Sequence, residues 1–236
     1  MPDHSPALAA AVGLLVGLDA DLFEIVGRSL QVSLSAVALA ALVGLPLGAA
    51  LALYRFPGRA AATVLVNSLM GLPPVVVGLV VYLMLSRSGP LGVLGLLFTP
   101  TAMIIAQALL VLPIVAALTR QVVEELWSEY GEQLRSLGAR PHEALPTLLW
   151  DGRFSLVIAM VAGFGRAIAE VGAVMIVGGN IDHVTRVMTT AIALETSKGS
   201  LALALGLGIV LLLIAVAVNA AVHTARAVAV RHAALA

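Results

Sequence analysis

The chain has no cysteine and only one lysine, Lys198, among its 236 residues. The absence of cysteine excludes disulfides, thiolate catalysis and cysteine-based metal sites. Gly199 follows the lysine, whereas a nucleotide-binding P-loop needs a serine or threonine there, so this chain does not bind nucleotide in that way. The histidines never occur at a metal-ligand spacing such as H-x-x-x-H. We therefore expect no catalytic residue, no metal site and no cofactor in this chain.

Charged residues are scarce as well, at 11% of the chain, while 61% of the residues are hydrophobic. Soluble domains carry about a quarter charged residues, so this composition excludes an ordinary soluble domain. The formal net charge is zero, and no global basic field favours a nucleic-acid partner. The composition predicts an all-α membrane protein with several spans, whose surroundings are a lipid bilayer.

Residues 1–27 are predicted to form an N-terminal segment outside the bilayer. Their apolar run, residues 7–18, is too short to span a bilayer, which takes about 20 residues. The first basic residue is Arg28, so the positively charged start of a signal peptide is missing. An interfacial helix is the predicted structure.

Five apolar runs reach the length of a membrane span, and only the fourth contains charged residues. They predict five transmembrane helices within a membrane domain at residues 28–223, followed by a tail at 224–236. Prolines inside several runs should kink their helices, since each removes a backbone donor. The predicted spans are residues 29–53, 60–85, 99–119, 154–177 and 201–222.

The basic residues predict the orientation. With the N-terminus outside, the outer segments contain Arg28, Arg87, Arg186 and Lys198, and the inner segments contain twice as many basic residues: Arg55, Arg59, Arg120, Arg135, Arg140, Arg153, Arg226 and Arg231. The positive-inside rule therefore favours an outer N-terminus and an inner C-terminus. This orientation assigns the polar segment 121–152 to the cytoplasm.

The segment 121–152 is a polar island between apolar runs. Apolar residues recur in it at helical spacing as far as Leu137, which predicts an amphipathic helix continuing out of the third span. Glu132 and Arg135, three residues apart, can pair on one face of that helix. Gly138 is a natural C-cap and Pro141 can open a second helix. The pattern predicts a compact knob that fits a partner, with a solvated hairpin as the alternative.

Arg166 and Glu170 are the only charges inside a predicted span. Counted from Phe154 at 1.5 Å per residue, Arg166 lies roughly 18 Å deep. Their i,i+4 spacing predicts that they neutralise each other on one helix face. A lone arginine at that depth costs at least about 2.5–3.5 kcal/mol, so the pair should face the bundle interior or a wet pathway. The alternative is a structural pair that only fixes helix packing.

Gly178-Gly179-Asn180 is predicted to end the fourth span with a turn into an outer loop. That loop contains Arg186 and Glu195 together with several hydroxyl residues. Mixed charge of this kind suits docking of a periplasmic protein through ion pairs at the rim. An ordinary solvated loop is the alternative.

Three segments carry a resemblance to a known family. They are the run Leu72–Gly78, the stretch from Glu132 to Pro141, and the run Gly165–Ala173 that continues to Ile181. In this order they resemble the molybdate/sulfate/tungstate branch of type I ATP-binding-cassette importer permeases, which have the MetI-like fold. The family usually has Glu-Ala-Ala where this chain has Glu132-Gln133-Leu134. The runs from Glu170 to Ile181 and from Thr189 to Gly199 are most similar to tungstate permeases.

The resemblance implies a permease subunit of an ATP-driven importer, without enzymatic activity of its own, in the inner membrane of a bacterial or archaeal cell. It implies a homodimer, a cytoplasmic ATPase that binds ATP and Mg²⁺, and a periplasmic binding protein for a tetrahedral oxyanion, most similar to the tungstate systems. It assigns ATPase contact to Glu132, Gly138, Ala139, Arg140 and Pro141, the translocation pathway or gate to Arg166, Glu170 and Gly172, and the periplasmic loop to Gly178, Gly179, Asn180, Arg186 and Glu195.

Other interpretations remain open at this stage. The alternative cargo of such a permease is molybdate, sulfate or another anion. A secondary transporter driven by an ion gradient would use Arg166 and Glu170 as a proton relay and would not need the knob at Gly138. A membrane scaffold without transport is a third alternative.

Overall fold

The computed structural model describes residues 5–17 and 19–233, and its regular secondary structure over these ranges is entirely helical. One 3₁₀ turn, Gly92–Leu94, interrupts the connection before the fifth helix. The α-helices of the described residues are α1 Ser5–Val16, α2 Ala20–Leu53, α3 Arg59–Leu69, α4 Pro74–Leu85, α5 Pro100–Ser136, α6 Pro141–Asp151, α7 Arg153–Ile168, α8 Gly172–Gly178, α9 Met188–Lys198 and α10 Leu201–Ala233.

Three of these helices, α2, α5 and α10, are long and apolar enough to cross a membrane. The count rises to five if the pairs α3 with α4 and α6 with α7 are each taken as one bent span. Helix α5 continues without interruption to Ser136, which confirms the prediction of an amphipathic helix growing out of the third span. Helix α2 begins at Ala20 rather than at residue 29. The all-helical class is confirmed, while the five-span count and the orientation remain predictions.

The second predicted span, residues 60–85, is divided into two helices at Pro73-Pro74, where the sequence predicts a kink, and a single bent span across the membrane stays a prediction. Helix α3 ends at Leu69 and α4 begins at Pro74. Pro73 has an extended backbone with ψ of 123°, because a residue that precedes a proline is driven out of the helical region. Pro74 then occupies the first turn of α4, where a missing N–H costs nothing.

The fourth predicted span, residues 154–177, is also broken. Helix α7 ends at Ile168, and α8 begins at Gly172 after three non-helical residues. At its other end α7 meets α6 at a bend of 73°. The polar residues beyond α8 are not a solvated loop either, since residues 188–198 form α9 and Thr189, Thr190 and Glu195 are buried. Helix α1 agrees with the predicted N-terminal helix, and its interfacial position stays a prediction.

The chain forms two compact units, each assembled from three segments. The first unit comprises Met1–Ala36, Pro73–Gln107 and Ile168–Asn219. Its closest helix contact joins α4 to α8, where a Cβ on Gly78 would lie 2.7 Å from the Cα of Ala173. Gly178 likewise leaves room for Met103, whose sulfur would lie 2.9 Å from an added Cβ. Small residues thus let these membrane helices pack backbone to backbone.

The second unit comprises Val37–Leu72, Ala108–Ala167 and Ala220–Ala236. The C-terminal half of α2 packs there against α5, and a Cβ on Gly48 would lie 2.3 Å from the carbonyl oxygen of Ala116. A buried apolar cluster then joins the ends of α2, α5 and α6. Its members are Ala49, Ala52, Leu53, Val123, Ala144 and Leu148.

Candidate functional site

The turn at Gly138 joins α5 to α6 through a Schellman cap. Gly138 has φ of 82°, and nothing lies within 4 Å of a Cβ built on it. The Gly138 N–H donates to the carbonyl oxygen of Arg135 and the Ala139 N–H to that of Leu134, each at 2.9 Å. These two bonds satisfy carbonyls that the end of α5 would otherwise leave unpaired. The sequence-based prediction of a glycine cap at this residue is confirmed.

Helix α6 starts at Pro141, as predicted, and is anchored on one side. The carboxylate of Glu143 accepts a hydrogen bond of 2.7 Å from the Arg140 N–H, which caps the helix start. Ala144 and Leu148 are buried against α2 and α5. We call residues Glu132–Trp150 the knob.

The outer surface of the knob is apolar at two positions. Leu137 is 83% exposed and Trp150 is 67% exposed. Both side chains are available to a partner that contacts this part of the chain. On α5, the hydrogen bond to Glu129 and that residue's negative charge raise the pKa of the exposed Tyr130.

Glu132 and Arg135 do not form the predicted ion pair in the described structure. The Arg135 guanidinium instead lies over the ring of Trp127, 5.1 Å from its centroid. Trp127 is two helical turns before Arg135 on α5, so the arginine side chain folds back along its own helix. The sequence pattern misses this contact because it compares only neighbours one turn apart.

A three-residue charge cluster holds the end of α2 and the start of α3 against the middle of α5. Glu124 accepts hydrogen bonds from both Arg59 and Arg120. The Nε of Arg59 also donates to the carbonyl oxygen of Leu51 at 2.6 Å, one of the last carbonyls of α2. Sequence analysis assigned no role to this cluster, whose members are 65 and 4 residues apart along the chain. The sequence feature that could have indicated the cluster is Glu124, which follows Arg120 by one helical turn at the start of the polar segment.

Glu170 lies beyond the end of α7, so the prediction that it shares a helix face with Arg166 is wrong, while their mutual neutralisation stays a prediction. Its side chain, only 3% exposed, accepts a hydrogen bond of 3.0 Å from the Ala173 N–H in the first turn of α8. Arg166 is half-buried in the last turn of α7. Each charge thus stands at the helix end whose dipole favours it, the arginine at a C-terminus and the carboxylate at an N-terminus.

Gly172, the first residue of α8, lies between Glu170 and α4. A Cβ on Gly172 would meet a methyl carbon of Val75 at 2.8 Å and the Glu170 carboxylate at 3.6 Å. The site residues Glu170 and Gly172 are therefore brought together at the start of α8. A side chain at residue 172 would push against α4.

Threonine and asparagine side chains tie the turn after α8 to α9. Thr185 donates to the carbonyl oxygen of Gly178 at 2.6 Å, and Thr190 donates to Asn180 Oδ1 at 2.8 Å. Gly179 and Asn180 both have positive φ, 71° and 50°, conformations that glycine and asparagine tolerate best. We call Thr185, Thr189 and Thr190 the threonine group. Sequence analysis read them as surface hydroxyls, because hydropathy does not reveal which hydroxyls have buried partners.

A mixed-charge cluster lies at the start of α2. Arg186 pairs with Asp182 at 2.7 Å, and the His183 ring nitrogen Nδ1 lies 2.9 Å from a Glu24 carboxylate oxygen. The hydrogen bond to Glu24 and the negative charge of Asp182 raise the pKa of His183. Glu195 is 8% exposed and pairs with Lys198 at 3.0 Å instead of facing solvent.

The chain is similar to known membrane transport proteins. Residues 44–229 match the family model described as "Binding-protein-dependent transport system inner membrane component". A "Tungstate uptake system permease protein TupB" of Peptoclostridium acidaminophilum is 45% identical over 190 residues, 80% of this chain and 83% of that protein. The protein of the same description from Campylobacter jejuni is 40% identical over 192 residues, 81% and 80% of the two chains. A "Probable anion ABC transporter permease protein" of Haloferax volcanii is 42% identical over 185 residues, 76% and 80%.

Proposed function

The chain belongs to the family of inner membrane components of binding-protein-dependent transport systems, and we propose that it is the permease subunit of an ATP-driven tungstate importer. The observation that supports tungstate as the transported anion is the high identity to two tungstate uptake permeases over most of the chain. An anion transporter permease of similar identity supports the same chemical class. As a permease the chain is a membrane component and not an enzyme in itself.

We propose further that two copies of the chain work with cytoplasmic ATPase subunits and one periplasmic binding protein that delivers the oxyanion. The permease then lies with its N-terminus outside and the knob in the cytoplasm, the orientation that the basic residues favour. The binding protein selects tungstate over sulfate. The permease only conducts the anion, so it needs no closed oxyanion-binding site.

The knob supports the ATPase contact. Leu137 and Trp150 are exposed on it, while Ala144 and Leu148 of α6 are buried in the core. A partner that moves α6 therefore also moves the end of α5. Helix α5 is continuous over 37 residues, about 55 Å at 1.5 Å per residue, which is long enough to carry the displacement across a bilayer.

We assign the pathway or gate to Arg166, Glu170 and Gly172. The non-helical residues 169–171 support this assignment, because irregular backbone at membrane depth is tolerated where it is buried in protein or lines a cavity. The guanidinium fork of an arginine matches the oxygens of a tetrahedral anion. The mixed-charge cluster that contains Arg186 is assigned to contact with the binding protein, whereas the buried Glu195 pairs with Lys198 within α9.

Gly138→Asp tests the coupling role. The reconstituted permease, ATPase and binding protein should hydrolyse ATP but import less than a tenth of the wild-type tungstate, while the amount of inserted permease is unchanged. The matched control is Gly95→Asp, because Gly95 also has positive φ, 60°, and nothing within 4 Å of an added Cβ. The control should import normally. Normal import by Gly138→Asp would overturn the coupling role.

Vesicle transport separates this function from an ion-gradient transporter. Import of tungstate should require the ATPase, ATP and the binding protein together, and a proton or sodium gradient alone should give none. Molybdate and sulfate are offered in the same assay with the same binding protein. Gradient-driven import by the chain alone would overturn the proposal.

A further inference from the structure

A basic and aromatic groove lies in the second unit and includes the knob residues Arg135 and Pro141. It is open to the surface and has a volume of about 360 Å³. Its lining residues are Leu53, Tyr54, Arg55, Trp127, Arg135 and Pro141. Among these described residues none is acidic, although Glu124 and Glu143 are close along the chain. The groove therefore presents two positive charges and two aromatic rings without an internal counter-charge.

The two arginines differ from their neighbour Arg59 in having no carboxylate partner among the residues that the structure describes. Arg59 is neutralised by Glu124 and by the last carbonyls of α2. Arg135 is held over Trp127 by a cation–π contact, which leaves its outer donors available. Arg55 is exposed in the turn that follows α2. The groove is thus a pre-positioned site for an anion rather than part of an ion-pair network.

The position of the groove along α2 and α5 indicates that the groove lies at the depth of the lipid headgroups. Trp127 lies 27 residues into α5, about 40 Å from its start at 1.5 Å per residue. The hydrocarbon core takes about 30 Å and the headgroup regions extend the bilayer to about 40–45 Å. Leu53 is the last residue of α2, the other spanning helix at this site. Tryptophan and tyrosine at such a depth are typical of the membrane interface.

We propose that this groove binds the phosphoryl headgroup of an anionic phospholipid, with Arg55 and Arg135 on the phosphate and Trp127 and Tyr54 against the glycerol and upper acyl region. Basic pockets at the ends of membrane helices recognise anionic headgroups through the same chemistry. The lipid would fill the space between the turn after α2 and the start of α6, and so stiffen the base of the knob. This inference does not depend on the cargo or on the ATPase contact.

Fluorescence provides the direct test, because the chain has only two tryptophans. The full-length Trp150→Phe variant retains Trp127 as its single tryptophan. In detergent, brominated phosphatidylglycerol should quench Trp127 at lower concentration than brominated phosphatidylcholine. Equal quenching by the two lipids would overturn the proposal.

Arginine variants in the same background measure the charge contribution. Arg55→Gln and Arg135→Gln should each weaken phosphatidylglycerol binding about fivefold, the effect of removing one basic residue from a membrane surface. Arg153→Gln is the matched control, because Arg153 also lies over an aromatic ring that this background retains, 4.8 Å from the Phe154 centroid, but does not line the groove. Its affinity should be unchanged. A loss as large in Arg153→Gln as in the groove variants would overturn the site.

Two further measurements distinguish a bound phospholipid from other occupants of the groove. Inorganic phosphate or tungstate at millimolar concentration should neither change Trp127 fluorescence nor displace the lipid, and displacement by either would assign the groove to a free oxyanion instead. Addition of the ATPase should leave the lipid bound. Release of the lipid by the ATPase would assign the groove to the protein interface and overturn the proposal.

Discussion

The hydroxyl of Thr189 donates a hydrogen bond of 2.7 Å to the backbone carbonyl oxygen of Glu170, although 19 residues separate them. Both groups are buried, and the bond ties the first turn of α9 to the residue that caps α8. The non-helical residues before α8 therefore have a fixed hydrogen-bond partner. A polar segment outside the predicted fourth span thus stabilises the non-helical break within that span.

Thr189→Val should destabilise the first unit, because valine keeps the shape but leaves the Glu170 carbonyl oxygen without this donor. Loss of one partner of a buried hydrogen bond costs about 1–3 kcal/mol. Thermal unfolding of the detergent-solubilised chain measures the loss. Thr189→Ser retains the hydroxyl and should stay closer to the wild type. Equal stability of Thr189→Val and the wild type would contradict the bond's contribution.

Ser29→Ala should be costly for a related reason. The Ser29 hydroxyl accepts a hydrogen bond of 2.7 Å from the Met188 N–H, at the start of α9, and both groups are buried. An unsatisfied backbone donor costs about 1–3 kcal/mol. Ser33→Ala is the matched control, since Ser33 is a buried serine one turn later on α2 and makes no hydrogen bond to another element in the described structure. The same unfolding measurement should rank Ser29→Ala below Ser33→Ala, and the reverse order would be inconsistent with this prediction.

Gly78→Ala should loosen the contact between α4 and α8. The added methyl would lie 2.7 Å from a backbone carbon of Ala173, and overpacking of this kind costs about 1–3 kcal/mol. Gly208→Ala is the control, because nothing lies within 4 Å of a Cβ there and α10 is helical at that residue. An alanine in place of a helical glycine stabilises by about 0.5–1 kcal/mol. The two variants should shift the melting temperature in opposite directions. A shift of the same sign in both would refute the close approach.

The contact between His183 and Glu24 should depend on pH. The pKa of His183 is raised above 6.5, so the protonated form is favoured in the folded protein. The contact therefore contributes its full stability below about pH 6.5 and loses it as the pH rises through the raised pKa. The charged groups that face His183 are Glu24 and Asp21 of α2 and its neighbour Asp182.

Side-chain NMR titration of His183, assigned with the His183→Gln variant, checks this prediction. The pKa should lie above 6.5 in the wild type and fall in Glu24→Gln. Glu125→Gln, a change at an exposed carboxylate of α5, should leave it unchanged. A pKa of His183 that is insensitive to Glu24→Gln would contradict the assigned cause.

Local chemistry explains what was predicted correctly around the knob. The end of α5 near Gly138 and the start of α6 at Pro141 follow from glycine's freedom at positive φ and from proline's missing N–H. Each of these effects acts within one helical turn. The family resemblance was recognisable for the same reason, since it rests on short contiguous runs that include Gly138 and Glu170.

Longer-range contacts explain what was missed. Hydropathy treats residues 60–85 and 154–177 as uniform spans, because an apolar run does not record where its helix stops. The contacts of Arg135 and Thr189 are with partners 8 and 19 residues away along the chain, and only the folded chain selects them. Helix α9 was read as a loop because its hydroxyls and Glu195 look soluble in isolation.

By itself the sequence determined that this chain is a membrane protein and which of its apolar runs are long enough to cross a bilayer. It also determined that glycine and proline separate α5 from α6. Composition and local backbone chemistry are sufficient for those conclusions. The tertiary structure alone decided where the spans break, which charges cap helix ends and which hydroxyls are buried. The reason is that in an apolar medium every polar group must find a partner, and that partner is chosen by packing rather than by distance along the chain.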